Sequence, residues 1–124
     1  MAIIIPCGRD DIKSHGRGWR LVDAVFFGTE AGRFPARDFI EDLPAQMAAL
    51  IYADIATFAK HGDRAPVSWK WIKGHHPMQE LRTGAYRTLF VVIDGRMWIL
   101  ETCKKQNQPA AIERAAARLK EPRD

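Results

Sequence analysis

Apolar positions in the first half of the chain predict a strand followed by two helices. In residues 19–28 apolar side chains fall on both faces, which is typical of a strand covered on both sides. Pro35 suits the first turn of a short helix that runs to about Glu41. A second helix follows Pro44 and ends at Gly62. Its amphipathic stripe is expected to pack on a sheet and consists of Met47, Leu50, Ile51, Ile55 and Phe58.

The second half of the chain, from Trp69 onward, has the pattern of strands and a final helix. The expected strands are residues 80–82, 86–93 and 96–103. The dipeptide Asp94-Gly95 joins the last two strands and is the strongest short-range signal for a hairpin. Pro109 opens the final helix, which runs to about Lys120. Its expected inward residues are Ile112, Ala115, Ala116 and Leu119, and its expected outer residues are Arg114 and Arg118.

This order of elements predicts an α+β fold. We expect one antiparallel sheet with a helical hairpin on one face and a C-terminal helix, and the other face of the sheet left for chemistry. Residues 1–18 are interpreted as an irregular N-terminal extension with a short strand at residues 2–5. Residues 19–124 then form a single domain, because a chain of 124 residues has the usual length of one domain.

Composition places the protein in the cytoplasm. Cys7 and Cys103 are far apart and form no CxxC pattern. Their spacing neither requires nor excludes a disulfide bond between them. Isolated thiols are typical of a reducing compartment. The apolar run at residues 2–5 is too short for a signal peptide, and no stretch approaches the ~20 apolar residues of a membrane span. We therefore expect a soluble protein without a membrane partner.

Positive charge is concentrated in the C-terminal half. Residues 1–68 carry 8 Lys/Arg and 9 Asp/Glu, whereas residues 69–124 carry 11 Lys/Arg and 6 Asp/Glu. An acidic partner or a phosphate backbone is the natural expectation for such a half. The alternative is a basic surface that only keeps the protein soluble.

A series of short motifs between residues 71 and 121 carries a family resemblance. In order they are WIKG, ELR, GAYRTLFVVIDGRMWIL, CKKQNQ and PAAIERAAARLKE. Their order and spacing resemble the phage-derived branch of the RelE toxin superfamily, to which HigB-type toxins are related. The resemblance implies a microbial RNase-type fold and a type II toxin that cleaves mRNA on the ribosome and inhibits translation. It also implies a cognate antitoxin, expected to be a small helix-turn-helix protein, and no cofactor.

The resemblance also indicates which residues would contact RNA. Arg82 and Arg87 match arginine positions of the family, and Arg87 matches the one that stabilises phosphate. A two-residue turn at residues 94–95 would place Arg87 opposite Thr102 and on the same face as Lys104. A bulge near the strand end would exchange Lys104 for Lys105, so both stay candidates. The alternative is that these cations are solvated surface charges.

Two departures from the family pattern affect the expected proton transfer. RelE has lysines at the positions of Met78 and Glu80, so the expected general base is missing. The His or Tyr that some relatives carry near the C-terminus is also missing, since residues 106–108 are Gln-Asn-Gln. We expect His76, or its neighbour His75, to shuttle the proton, because imidazole titrates near neutral pH. The alternative is a loop His pair without a role.

Aromatic residues alternate with cations just before this loop. Trp69 and Trp71 alternate with Lys70 and Lys73, a pattern that favours base stacking, although a Trp on an alternating strand is also typical of a core. The chain's histidines and cysteines lack the spacing of metal ligands, so no metal site is expected. A second hypothesis is a non-catalytic phage-derived protein that binds RNA or the ribosome. A third is a structural or regulatory domain without a nucleic-acid partner.

Overall fold

The structure is a computed structural model that describes residues 3–5 and 23–120. The strands are β1 (Ile3–Ile5), β2 (Asp23–Phe26), β3 (Ser68–Trp71), β4 (Gln79–Thr83), β5 (Tyr86–Ile93) and β6 (Arg96–Lys104). The helices are α1 (Pro35–Glu41), α2 (Ala45–His61) and α3 (Gln108–Leu119). The predicted strand at residues 19–28 is present from Asp23, and its first four residues lie outside the described part.

One sheet of six strands runs in the order β1-β2-β6-β5-β4-β3. All neighbouring strands are antiparallel except β2 and β6, which are parallel. The prediction of a wholly antiparallel sheet is therefore wrong at this pair, because the long connection through two helices and three strands returns the chain beside β2 in the same direction. The predicted α+β class, with a helical hairpin and a C-terminal helix, is confirmed and is consistent with a RelE-like fold.

The helical hairpin begins and ends where the sequence predicts. Pro35 opens α1, Pro44 precedes α2, and Gly62 ends α2 with a positive φ of 64°, which glycine adopts without strain. Four of the five stripe residues pack toward the sheet, but Leu50 is 55% exposed, so its predicted burial is wrong. At about 100° per residue, Leu50 lies about 100° around the helix from the centre of the other four.

Both faces of the sheet are covered. The hairpin face packs α1 and α2 on an apolar cluster that includes Phe26, Phe58, Phe90, Met97 and Ile99. The opposite face, which we call the α3 face, packs Ala111 and Ala115 of α3 on a second cluster that includes Val25, Phe27, Leu89, Trp98 and Leu100. The expectation that this second face is free for chemistry therefore holds only beyond the part that α3 covers. Ala111 is a buried contact of α3 that the sequence analysis did not identify.

Two other features complete the architecture. The short strand expected at residues 2–5 is present as β1, which pairs with β2 at the edge of the sheet. The rest of the predicted extension, residues 1–2 and 6–18, lies outside the described residues, as does Cys7. Within the described part, no helix is long and apolar enough to cross a membrane.

Candidate functional site

A β-bulge in β6 decides which side chains of that strand share a face with Arg87. From Ile93–Arg96 to Phe90–Ile99 the pairing follows the predicted register, but it shifts between Leu89 and Phe90. Arg87 therefore pairs with Cys103 instead of Thr102. One extra residue on β6 is the cause, since a bulge opposes two residues to one and exchanges the faces beyond it.

The bulge separates Arg87 from Lys104. Arg87 and Cys103 point to the α3 face, where Cys103 belongs to the second apolar cluster. Lys104 pairs with Tyr86, whose ring packs on the hairpin-face cluster, so Lys104 projects from the opposite face. The predicted common face of Arg87 and Lys104 is therefore wrong. Both residues still lie at the same end of the two strands.

Arg87 is a buried cation held by backbone carbonyls. Arg87 is the second residue of β5 and is only 7% exposed, which rules out a solvated surface charge. One terminal nitrogen, Nη1, donates hydrogen bonds to the carbonyl oxygens of Gly84, at 2.8 Å, and of Tyr86, at 2.9 Å. These bonds fix the guanidinium against the β4–β5 turn. Among the described residues, no carboxylate forms an ion pair with it.

Arg82 lies directly across from Arg87 on β4 and has a carboxylate partner. Its Nε donates to Glu80 at 2.6 Å, and its side chain remains 40% exposed. Glu80 is fully buried, and its second oxygen accepts a hydrogen bond from the Gln108 amide at the start of α3. A fully buried carboxylate needs such partners, because the loss of hydration is otherwise very costly. Glu80 thereby ties β4 to α3.

A second buried carboxylate holds the body of α3. Glu101, at the bulge, accepts from Arg114 at 3.2 Å and from Arg118 at 2.5 Å. Arg118 also donates to the carbonyl of Leu100 and lies over the ring of Phe27. Arg114 and Arg118 share one side of the helix as predicted, and Arg114 is 52% exposed, but Arg118 is only 16% exposed, so its predicted outer position is wrong. The buried carboxylate on the sheet draws both guanidinium groups toward it.

These side chains form what we call the charged cluster of the α3 face: Arg82, Arg87, Arg114, Arg118, Glu80 and Glu101. It contains four guanidinium groups and two carboxylates, so its net charge is positive. The thiol of Cys103 lies beside it. Burial, and secondarily the charge of Glu101, raise the pKa of Cys103 to about 11, so the thiol is neutral at physiological pH. An anion would meet a cationic and partly desolvated surface here.

The two candidate lysines extend this positive region around the strand ends. Lys104 and Lys105 are both exposed. Lys104 pairs with Tyr86, and the backbone N–H of Lys105 donates to the carbonyl of Ala85 at 2.8 Å. The lysines therefore lie next to the same β4–β5 turn that holds Arg87. The structure brings four of the predicted catalytic residues, two arginines and two lysines, to one end of the sheet.

His76 lies away from this end. It is in the β3–β4 loop, at the other end of the strands, and its ring stacks on Trp71 at 4.9 Å between centroids. His75 and Lys73 belong to the same loop. The four predicted residues of this region therefore form a second group, separate from Arg87, and His76 is not placed to shuttle a proton there.

Sequence reasoning missed most of the residues that surround the predicted arginines. Arg114 and Arg118 were noted only as outer residues of the last helix, and Glu80 only as a replaced lysine. Gln108 was noted only as a position without His or Tyr, and Glu101 was not considered. Glu101 has a signal that could have been used, because it is the one charged residue in the apolar run of β6 between Arg96 and Lys104. Glu80 and Gln108 have no comparable signal, because their pairing depends on how α3 lies on the sheet. Across the described residues, no group of three or more His, Cys, Asp or Glu side chains could hold a metal ion.

Comparison with known proteins identifies the family. A search of curated proteins finds no match to this chain. The family model described as "Phage derived protein Gp49-like (DUF891)" matches residues 38–120, which is more than half of the chain. The matched segment includes the helical hairpin, strands β3 to β6, the charged cluster and α3. The chain therefore belongs to the Gp49-like family of phage-derived proteins, a family within the RelE/ParE toxin-like superfamily.

Proposed function

We propose that this protein is the toxin of a type II toxin–antitoxin system and that it cleaves messenger RNA on the ribosome. Arg87 carries the proposal. It is a buried guanidinium, fixed by two carbonyls and not neutralised by any described carboxylate. Such a group has a strong requirement for an anionic partner, and phosphate fits its planar fork. Membership of a toxin-like family supports the same conclusion.

Exposure determines the order in which RNA would meet the cations. Arg82, Lys104 and Lys105 are exposed and would contact the backbone first. Arg87 is 7% exposed and would act from behind them on one phosphate. Because two carbonyls occupy its Nη1, the rest of the fork is the part that faces the anion. A cation fixed in this way needs little reorganisation when a phosphorane forms, which is the condition for strong electrostatic stabilisation.

The proposed proton transfer uses Glu80. Attack by the 2′-hydroxyl needs a base for its proton and an acid for the leaving oxygen. Glu80 contacts Arg82, and a phosphate bound to Arg82 would compete for that guanidinium and free one carboxylate oxygen. The freed oxygen would accept the hydroxyl proton. Lys104 or Lys105, exposed at the same end, would protonate the leaving oxygen.

One observation favours a second candidate, a protein that binds RNA or the ribosome without cutting. Glu80 is fully buried and both of its oxygens accept hydrogen bonds in the structure, so cleavage needs a rearrangement that binding does not. Met78, at the other position where RelE carries lysine, is buried in the apolar cluster. Under this alternative the charged cluster would hold the RNA backbone and block translation.

Inducible expression in bacteria tests both candidates, with growth and primer extension on a translated mRNA followed together. The proposal expects growth arrest and new 5′ ends within the translated region, and none in a matched message without a start codon. Growth arrest without new ends would establish the non-catalytic alternative. Normal growth with abundant folded protein would overturn both.

Two additions to the experiment test the proposed partners and the metal-free mechanism. Co-expression of a small helix-turn-helix protein from a neighbouring gene should restore growth, because type II antitoxins neutralise their toxins by binding. The purified protein and the ribosomes are treated with a chelator selective for transition metals, and cleavage is then assayed at fixed magnesium. The rate of cleavage should be the same as without the chelator. Inhibition that a transition metal reverses would show that the metal-independent mechanism is wrong.

A further inference from the structure

We infer that Trp71 and His76 form a stacking platform for unpaired RNA bases, distinct from the phosphate-binding cluster around Arg87. This inference rests on the proposed function for its substrate class, RNA. Trp71 is 49% exposed on the edge strand β3. The ring of His76 stacks on it, with 24° between the ring planes. Stacking covers one face of each ring, so a base would stack on an outer face of the pair.

The platform is rigid because a chain of aromatic contacts anchors it in the core. Phe90 contacts Phe58 at 4.8 Å, Phe58 contacts Trp69 at 5.6 Å, and Trp69 contacts Trp71 at 5.8 Å between centroids. The Trp69 indole also donates to the carbonyl of Asp63. A ring held in this way loses little conformational entropy when a base stacks on it.

Backbone hydrogen bonds fix the loop that carries His76. The N–H of Ile72 donates to the carbonyl of Met78 at 2.9 Å, and the N–H of His75 donates to the carbonyl of Ile72 at 3.1 Å. The N–H of Met78 in turn donates to the carbonyl of His75 at 2.7 Å. These hydrogen bonds close the turn, which holds the histidine ring against Trp71.

Charge favours a nucleic acid over a protein as the occupant. The sequence holds no acidic residue between Asp63 and Glu80, whereas Lys70 and Lys73 flank Trp71 and are both exposed. Cations beside an exposed aromatic ring are the combination that tracks a phosphate backbone and stacks its bases. The centre of a protein interface is by contrast depleted of lysine.

The geometry allows the platform and the cluster to bind the same strand. Trp71 pairs with Gln79, three residues along β4 from Arg82, and β3 lies two strands from β5. Within the plane of the sheet the backbone positions are about 10 Å apart along the strands and about 10 Å across them. The two groups lie on opposite faces, because Trp71 shares the hairpin face with Trp69 and Leu81, whereas Arg82 alternates to the α3 face. An RNA strand that wraps the exposed β3 edge would reach both, with its backbone at one end and its bases at the other.

The test measures binding of the full chain to a fluorescein-labelled oligouridylate of about ten nucleotides at low salt, by anisotropy. Trp71→Ala should weaken binding by about 5- to 150-fold, the usual loss for one stacked base. Trp71→Phe should retain most of the affinity. An abasic oligomer of the same length should bind wild type and Trp71→Ala equally, because it keeps the phosphates and lacks the bases. Leu50→Ala, at an exposed apolar side chain on α2, is the matched control and should bind as wild type does.

Three outcomes would overturn the inference. The first is that the wild-type protein does not bind the oligouridylate. The second is that Trp71→Ala binds the oligouridylate as tightly as wild type does. The third is that Trp71→Ala loses the same affinity for the oligouridylate and for the abasic oligomer. A folded Trp71→Ala variant that binds RNA normally but escapes its antitoxin would mark the patch as a protein interface, and would also overturn it. Base-dependent binding without any mRNA cleavage in cells would reject the catalytic part of the proposed function and leave the platform standing.

Discussion

The two faces of the sheet bury different chemistry. On the hairpin face the cluster is apolar and rich in rings and branched chains, such as Phe58, Phe90 and Ile55. On the α3 face lie all three charged residues that are buried in the described part of the chain: Glu80, Arg87 and Glu101. Both faces belong to the same strands, so alternation along β4, β5 and β6 sorts the residues.

The difference indicates which face mainly stabilises the fold, and it supports the proposed anion site on the other face. Burial of apolar groups stabilises without geometric conditions, whereas a buried charge costs several kcal/mol unless its partners are well placed. The α3 face keeps such charges, and among the described residues one of them, Arg87, has backbone carbonyls as its hydrogen-bond partners. A site for an anion explains that arrangement, and the hairpin face needs no such explanation. Four substitutions test this division.

The largest effect is expected from Phe90→Ala on the hairpin face. Phe90 is fully buried and contacts Phe58, so its loss should lower the free energy of unfolding by about 3–5 kcal/mol. Urea unfolding followed by circular dichroism measures it. Val92→Ala is the control on the same strand, at a side chain 38% exposed, and should cost less than about 1 kcal/mol. A small loss for Phe90→Ala would contradict the assignment of stability to this face.

Arg87→Ala should have the second largest effect, and it should fall on activity. Removal of one preorganised donor to a transition-state oxyanion costs about 100- to 1,000-fold in rate, or roughly 3–4 kcal/mol. Stability should fall by only about 1–2 kcal/mol, from the two carbonyls that lose their donor. Growth arrest and primer extension, beside a thermal melt, separate the two effects.

Two further variants calibrate the Arg87 result. Arg87→Lys keeps the charge and loses the fork, so it should be impaired less than Arg87→Ala. Arg96→Ala is the matched control, because Arg96 lies at the far end of the same hairpin. Full toxicity in a folded Arg87→Ala variant would show that the charged cluster is not the active site.

Glu101→Gln should have an intermediate effect on how α3 is held. The change keeps the shape and leaves Arg114 and Arg118 without their carboxylate. Because these arginines are partly exposed, we expect the free energy of unfolding to fall by about 1–3 kcal/mol, which is less than the cost of breaking a fully buried ion pair. Hydrogen exchange should show the loss concentrated in α3. Glu113→Gln, an exposed change on the same helix, should be neutral, and equal effects of the two variants would disprove the role of Glu101.

The smallest effect is expected at Leu50, which the apolar pattern places in the core. The side chain is 55% exposed, so Leu50→Ser should change the free energy of unfolding by less than about 0.5 kcal/mol. A thermal melt beside Ile51→Ser, its fully buried neighbour, makes the comparison. A large loss for Leu50→Ser would show that this position is covered in solution.

Local signals in the sequence suffice to predict the elements and their order. Prolines and Gly62 mark the helix ends, Asp94-Gly95 marks the hairpin, and apolar periodicity identifies the hairpin face, because each of these signals is local. The motifs also predicted the toxin-like family, and they predicted Arg82 and Arg87, which lie directly across from each other on β4 and β5.

The assembly of the site depends on contacts between elements that are distant in the chain. The bulge at Glu101 shifts the register of β6 by one residue and places Lys104 on the face opposite Arg87. It depends on pairing between strands and leaves no mark in the local pattern. Burial of Glu80 and Glu101 is decided by the position of α3, which supplies their partners from elsewhere in the chain. His76 is close to Arg82 in sequence and lies at the other end of the sheet, because the direction of a strand, and not the distance along the chain, determines which side chains meet.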